Sequence, residues 1–204
     1  LYDTSGKLMR QLTQGKWEVL EVKGFDDKGR SLFFTSTAVS ATSKNLYRLD
    51  WKNGFIQPIN QTPGVHNTQV SSNGEWVLDN FSNLETPREI QLIPLKARIA
   101  PRTLLKAANP LADYQRGELS IFSIRNAAGD SLVCRLFKPV NFDATKKYPV
   151  IVYWYGGPHA QLVLNAWNGG AGDYWFQYLA ERGYVVFTLD TRGSSSRGKA
   201  FEQS

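Results

Sequence analysis

The stretch KYPVIVYWYGGPH, from Lys147 to His159, decides the fold class of the second half of the chain. Its near-continuous apolar run, Tyr148 to Tyr155, is typical of a strand buried on both faces of a parallel sheet. A second apolar run spans Tyr184 to Leu189, and aromatic and aliphatic residues at helical spacing lie between them, from Asp173 to Arg182. Strand, crossover helix and strand predict an α/β unit in which helices cover a parallel sheet.

Working outward, the segment before this unit predicts a β-hairpin. Residues Leu119 to Arg125 and Ser131 to Phe137 alternate between apolar and polar, and a glycine-containing turn joins them. Cys134 is the only cysteine of the 204 residues, so no disulfide can form within the chain. We expect it to be a small buried strand residue.

The first hundred residues repeat a pattern at an offset of 45 positions. The turn DKGR at Asp27 to Arg30 precedes a strand, and SNGE at Ser72 to Glu75 precedes another. Such a period, with short strands and Gly, Asn and Asp turns, predicts about two blades of a β-propeller. Two unrelated β-meanders are the alternative. A passage rich in Lys, Arg, Ala and Pro follows Pro94, so we predict propeller blades in residues 1–107 and the α/β part in residues 108–204.

Composition narrows the function classes. Hydrophobic residues make up 42%, which favours a packed core over disorder, and the formal net charge is +6. The cations are scattered and not interleaved with aromatic residues, so nucleic acid is not an expected partner. No apolar run approaches the roughly 18 residues of a membrane-spanning helix. One cysteine and two distant histidines predict no metal site and no cofactor. Because the chain opens in mid-pattern at Leu1, we expect it to be a fragment.

Two loops follow the predicted parallel strands at their carboxyl ends, where open α/β sheets carry their working groups. The first contains Tyr155, Gly156, Gly157, Pro158 and His159. Paired glycines allow close approach of a ligand and positive φ, and Pro158 stiffens the exit. In α/β-hydrolases this connection supplies donors to the oxyanion formed when an acyl carbon is attacked. The alternative is a tight glycine turn in which Tyr155 is a packing residue.

The second loop, Asp190 to Ala200, nearly matches a phosphate-binding P-loop. Ala200 stands where a Ser or Thr hydroxyl would hold magnesium, so nucleotide binding is the weaker interpretation. We favour a polar loop in which Asp190 and Arg192 pair or are fixed by backbone hydrogen bonds.

No catalytic triad can be assembled from these residues. The nucleophile elbow Gly-x-Ser-x-Gly is absent, since Ser194 stands where the first glycine belongs. We expect His66 to be a surface or turn residue of the blades. His159 precedes every candidate nucleophile of its half, whereas the triad histidine of this fold comes last.

The YGGP loop, the strand before it, RGYVV at Arg182 to Val186, and DTRGS at Asp190 to Ser194 resemble the prolyl oligopeptidase family of serine peptidases. Within that family the chain is similar to the bacterial dipeptidyl peptidase IV group. The resemblance implies the end of a β-propeller followed by the opening part of an α/β-hydrolase domain. It implies release of N-terminal dipeptides that have proline or alanine second.

The resemblance also implies site residues and surroundings. Tyr155 would donate its phenolic hydrogen to the oxyanion, and Gly156, Gly157 and Pro158 would shape its loop. The family's Ser, Asp and His would follow residue 204. The resemblance further implies a periplasmic or secreted parent protein that forms a homodimer and uses no cofactor. Two alternatives stay open: a non-catalytic binding module, and a related prolyl oligopeptidase or acylaminoacyl peptidase.

Overall fold

The computed structural model describes residues 1–96, 99–167 and 173–203. Its first two sheets are antiparallel meanders of four strands each, as expected of propeller blades. The first blade contains β1 (Val19–Phe25), β2 (Ser31–Ser36), β3 (Asn45–Asp50) and β4 (Ile56–Pro58). The second contains β5 (Val65–Val70), β6 (Trp76–Ser82), β7 (Glu89–Pro94) and β8 (Arg102–Lys106).

The two blades repeat the same hairpin turn at the predicted offset. Gly29 precedes β2 and Gly74 precedes β6, and their φ angles are +58° and +62°. Each glycine N–H donates to the carbonyl three residues earlier, that of Asp26 or Ser71, over 2.8 Å. Glycine adopts this left-handed conformation without the steric cost that a Cβ would bring. The repeat in the sequence is therefore a repeat in structure.

The two blades share one hydrophobic cluster. Phe33 and Leu46 come from the first blade, and Val77 and Ile93 come from the second. Full burial of side chains of this size contributes about 1.5–3 kcal/mol each. The cluster therefore holds the two sheets against each other.

His66 is a buried residue of β5, so the prediction of a surface or turn position is wrong. Its Nδ1 atom lies 2.8 Å from the carboxylate of Asp79, and its Nε2 atom lies 2.9 Å from the carbonyl oxygen of Thr62. The ring also stacks on Phe81. Thr68, two positions along, is buried as well, so the period of two in β5 was the overlooked signal.

The third sheet has the order β11-β12-β10-β9 and carries the second half of the chain. It contains β9 (Leu119–Arg125), β10 (Ser131–Phe137), β11 (Val150–Tyr153) and β12 (Val185–Leu189). β9 and β10 form the predicted hairpin, and β11 runs parallel to β12. The helix α1 (Asp173–Glu181) lies between β11 and β12 in sequence and packs Phe176 and Ala180 against Phe137 and Val186. Cys134 is buried as predicted.

Two expectations for this sheet need correction. It is mixed and not wholly parallel, because β12 also pairs with β10 in the antiparallel sense. β11 is not buried on both faces: Val150 and Val152 are 57% and 59% exposed. The reason is topological, since β12 is the only strand paired with β11 among the described residues. An apolar run predicts a fully buried strand only when the strand is paired on both sides and both faces of the sheet are covered.

Helix α1 ends where the sequence predicts. Gly183 has a φ of +86°, its N–H donates to the carbonyl of Ala180, and the N–H of Tyr184 donates to that of Leu179. These two bonds are those of a Schellman motif. A short helix, α2 (Lys199–Glu202), begins within the last two residues of the second loop. Within the described ranges, no helix has both the length and the apolar character that a bilayer crossing requires.

Candidate active-site loops

The two candidate loops lie side by side. β11 and β12 are parallel and in register, with Tyr153 opposite Thr188, so both loops leave the same edge of the sheet. One backbone hydrogen bond joins them directly, from the N–H of His159 to the carbonyl of Gly193 over 3.0 Å. The second loop therefore lies next to the loop that contains Tyr155 and is hydrogen-bonded to it.

Tyr155 is an exposed residue, with 58% of its surface accessible. Its ring folds back over Gly157: a Cβ added to Gly157 would lie 2.5 Å from the ring atom Cε1 and 3.0 Å from the hydroxyl oxygen. The 2.5 Å separation is shorter than real Cβ contacts, so any larger residue at position 157 must displace the ring. The absence of a side chain at Gly157 is what gives the phenol its place.

Gly156 and Gly157 are required because they leave room for neighbouring side chains, and not because they adopt an unusual backbone conformation. Neither Gly156 nor Gly157 adopts positive φ, contrary to the expectation from the sequence. A Cβ at Gly156 would meet Trp154 at 2.9 Å, so each glycine makes room for the aromatic residue two positions earlier. Backbone strain falls instead on His159, whose φ is +61°.

A tight turn closes this loop. The N–H of Ala160 donates to the carbonyl of Gly157 over 3.4 Å, which places Pro158 and His159 at the two central positions. Proline followed by a residue with positive φ is the pattern of type II turns. The expectation that Pro158 stiffens the exit agrees with its central position in this turn.

His159 has a partner that sequence reasoning missed. Its Nδ1 atom lies 2.6 Å from the carboxylate of Glu202, which α2 carries. The side chain of His159 is 68% exposed, so this contact contributes little to stability on its own. Its geometric effect is to hold the turn at Pro158 against the end of the second loop.

Asp190 is buried and binds the backbone that follows the Tyr155 loop. Its two carboxylate oxygens accept the N–H groups of Leu162 and Val163 over 2.7 and 3.1 Å. Burial raises the pKa of the Asp190 carboxyl, and these two hydrogen bonds act in the opposite direction. The predicted backbone hydrogen bonds are thus present at Asp190, while Arg192 lies 3.4 Å from a different acid, Asp130.

Beneath the loops lies a buried ion pair. Arg135 of β10 is 1% exposed, and its guanidinium lies 2.8 Å from the carboxylate of Asp173, the first residue of α1. Burial lowers the pKa of Arg135, while Asp173 and Asp190 oppose that change. The ring faces of Phe137 and Phe176 lie 5.5 and 5.9 Å from the guanidinium carbon. A lone arginine in the alternating strand was the sequence signal for this pair.

Three N–H groups of the second loop that a phosphate could use are occupied by hydrogen bonds within the chain. The N–H of Gly193 donates to the carbonyl of Phe201, and that of Ser194 donates to Thr191. The N–H of Gly198 donates to the carboxylate of Glu18 over 2.9 Å, and a P-loop would present this group to a phosphate. These contacts disfavour the nucleotide interpretation.

A polar cavity of about 690 Å³ lies between the loops and the blades. On the blade side it is lined by residues of β1 and β5, including Glu21, Lys23 and Asn67, and on the loop side by Gln161 and Glu202. Its volume lies in the range of small-molecule sites. Across residues 1–96, 99–167 and 173–203, no three His, Cys, Asp or Glu side chains group as metal ligands would.

Comparisons with known proteins show which proteins this chain is similar to. Residues 1–88 match the family model of the dipeptidyl peptidase IV (DPP IV) N-terminal region. Human dipeptidyl peptidase 8 is 33% identical over 94% of the chain. The resemblance predicted from the sequence is therefore confirmed: the chain is similar to the dipeptidyl peptidases.

Two bacterial crystal structures extend the similarity to nearly the whole chain. A Bacteroides ovatus protein that carries the name of a dipeptidyl aminopeptidase IV is 41% identical, with a TM-score of 0.86 over 96% of the chain. Porphyromonas gingivalis dipeptidyl peptidase 4 is 28% identical, with a TM-score of 0.88 over 98% of the chain. The chain covers 28% of each of these structures and 22% of the human relative.

Proposed function

We propose that this chain is part of a serine exopeptidase that releases Xaa-Pro and Xaa-Ala dipeptides from free peptide N-termini. Its relatives by sequence and structure are dipeptidyl peptidases. Residues 1–107 form blades of the propeller in this proposal, and residues 108–204 form the N-terminal part of an α/β-hydrolase domain. The parallel pair β11 and β12, with loops leaving one edge, supports that division.

The observation that carries the proposal is the placement of the Tyr155 hydroxyl. The residue follows a parallel strand, is exposed, and lies over a glycine that leaves the space for its ring. When a nucleophile attacks a peptide carbonyl, the oxygen gains negative charge and accepts the phenolic hydrogen more strongly than in the ground state. Tyr155 is therefore the proposed oxyanion donor, shaped by Gly156, Gly157 and Pro158.

The remaining catalytic groups lie outside these 204 residues in this proposal. No Gly-x-Ser-x-Gly elbow is present in the sequence. The isolated chain is accordingly expected to be inactive, since a donor to the oxyanion has no effect without a nucleophile. Purified 204-residue chain that turns over a dipeptide substrate after removal of contaminating peptidases would contradict this.

The experiment that tests the function compares chromogenic Xaa-Pro substrates with free and blocked amino termini on the full-length protein. An exopeptidase of this type cleaves only the free form. Cleavage of the blocked form would favour a prolyl oligopeptidase or acylaminoacyl peptidase. Absence of cleavage, together with no labelling by a serine-reactive phosphonate, would favour a non-catalytic binding module.

The setting of the full-length protein is also proposed. A periplasmic or secreted location and a homodimeric state follow from the family resemblance alone. Cell fractionation tests the first and sedimentation of the purified protein tests the second. A cytoplasmic or a strictly monomeric protein would contradict them.

A further inference from the structure

The segment 161–165, directly after the Tyr155 loop, lies between the two halves of the chain. It begins where the turn at Pro158 ends and contacts both the third sheet and the first two sheets. Val163, at its centre, is completely buried. The position of this segment therefore constrains the loop that precedes it.

On one side, the blades hold the segment. Gln161 donates from Nε2 to the carbonyl oxygen of Ala41 over 2.7 Å, although 120 positions separate them. The N–H of Asn165 donates to the carbonyl of Thr42 over 2.9 Å. Asn165 also accepts, through its side-chain oxygen, the N–H of Leu84 over 3.3 Å. Both blades thus contact the segment.

On the other side, the third sheet holds it through the buried carboxylate of Asp190, which accepts the N–H groups of Leu162 and Val163. The contacts alternate along the chain: blade at Gln161, sheet at the next two residues, blade at Asn165. A segment fixed from both sides cannot shift toward either without breaking a hydrogen bond.

The blade turn that receives Gln161 is itself well ordered by local hydrogen bonds. The hydroxyls of Ser40 and Thr42 lie 3.0 Å apart, and the N–H of Thr42 donates to the Ser40 hydroxyl. The N–H of Ser43 donates to the carbonyl of Ser40, and Thr42 and Ser43 are buried. The Ala41 carbonyl is therefore a fixed acceptor.

We propose that Gln161 is a positioning residue: its hydrogen bond to Ala41 lets the turn between β2 and β3 set the position of Tyr155. The inference rests on the proposed function, because it gives Tyr155 a catalytic role. Gln161 touches no reacting atom and acts through the loop. A displacement of about 1 Å at a catalytic donor lowers the rate by up to about a hundredfold.

The test uses the full-length enzyme and a chromogenic Xaa-Pro substrate, with kcat and KM measured separately. Gln161→Ala removes the donor, and Gln161→Glu keeps the size but cannot donate to a carbonyl. Each is expected to lower kcat about tenfold and to change KM less than about twofold. The control is Gln57→Ala, an exposed glutamine of the same blade on β4, which leaves both constants unchanged.

A double-mutant cycle separates this inference from the proposed function. In the Tyr155→Phe background, Gln161→Ala is expected to cause no further loss of kcat, because the hydroxyl that it positions is gone. An equal loss in both backgrounds, or no loss in the wild type, overturns the role of Gln161. Failure of the proposed function is seen in Tyr155→Phe alone, as an unchanged kcat. Thermal unfolding of Gln161→Glu within a few degrees of the wild type shows that the fold is retained.

Discussion

The guanidinium of Arg135 lies 2.8 Å from the carboxylate of Asp173, and both side chains are buried beneath the candidate active-site loops. The pair joins β10 to the start of α1, and through α1 it supports the crossover between the two parallel strands. Two charges withdrawn from water are stable only as partners. Replacing either Arg135 or Asp173 alone should therefore destabilise the part of the fold that carries the site.

Arg135→Met is expected to destabilise the full-length protein by about 3–5 kcal/mol, because it leaves the Asp173 carboxylate buried without its cation. The double variant Arg135→Met with Asp173→Asn is expected to be less destabilised than the sum of the two single variants. Urea unfolding of all four proteins measures this coupling. Additive losses would show that the pair does not interact.

Gly157→Ala is expected to lower kcat at least tenfold while hardly changing thermal stability. The added methyl group occupies the position of the Tyr155 ring, and an exposed ring can rotate away at little cost. Steady-state kinetics and thermal unfolding of the full-length enzyme check both parts. If the loss of kcat persists unchanged in a Tyr155→Phe background, the methyl group acts on something other than the phenol.

Asp190→Asn is expected to destabilise the protein by about 1–3 kcal/mol near neutral pH. The carboxylate accepts two backbone N–H groups, whereas the amide has only one oxygen and would place its NH₂ group against the second backbone N–H. The pKa of Asp190 is raised above 3.8 by burial, so the folded state binds a proton more tightly than the unfolded state. That contribution is fully present below pH 3.8 and is lost as the pH rises through the folded pKa.

The advantage of the wild type over Asp190→Asn should therefore shrink as the pH rises from about 4 toward neutrality. Denaturant unfolding of both proteins over this range measures it, and titrations common to both proteins cancel in the difference. An advantage that grows with pH would mean that the hydrogen bonds to the carboxylate outweigh its burial.

Glu202→Gln is expected to change the free energy of unfolding by less than about 1 kcal/mol, since the side chain of His159 is exposed and polar contacts at the surface contribute little. Thermal unfolding of the full-length protein at two salt concentrations is the measurement. A loss of several kcal/mol would show that the His159 contact supports the whole second loop.

Local signals in the sequence predicted most of the elements. The hairpin of β9 and β10 has the predicted bounds, and the ends of α1 and β12 differ from the predicted ones by one residue or fewer. These elements follow from alternation, apolar period and one glycine, which are all properties of neighbouring residues. The repeat of the blade turn could be predicted for the same reason, since it depends on short local patterns that recur 45 residues apart.

Contacts between distant residues could not be predicted in this way. The bond from Gln161 to Ala41 and the pair of Arg135 with Asp173 depend on how the sheets pack. The exposure of Val152 depends on which strands flank β11, which no apolar run reports. The sequence predicts that the glycines of the Tyr155 loop matter, but it predicts positive φ for them, which they do not adopt. Their role is to leave space for neighbouring aromatic rings, and that depends on a backbone conformation that the residue types alone do not determine.

The most direct measurement is the steady-state kinetics of Tyr155→Phe in the full-length enzyme, with Tyr114→Phe, another exposed tyrosine, as the control. Loss of one oxyanion donor lowers kcat by roughly two to three orders of magnitude, and KM should change little. Tyr114→Phe should match the wild type. A Tyr155→Phe enzyme with undiminished kcat would contradict the assignment of this phenol to the oxyanion.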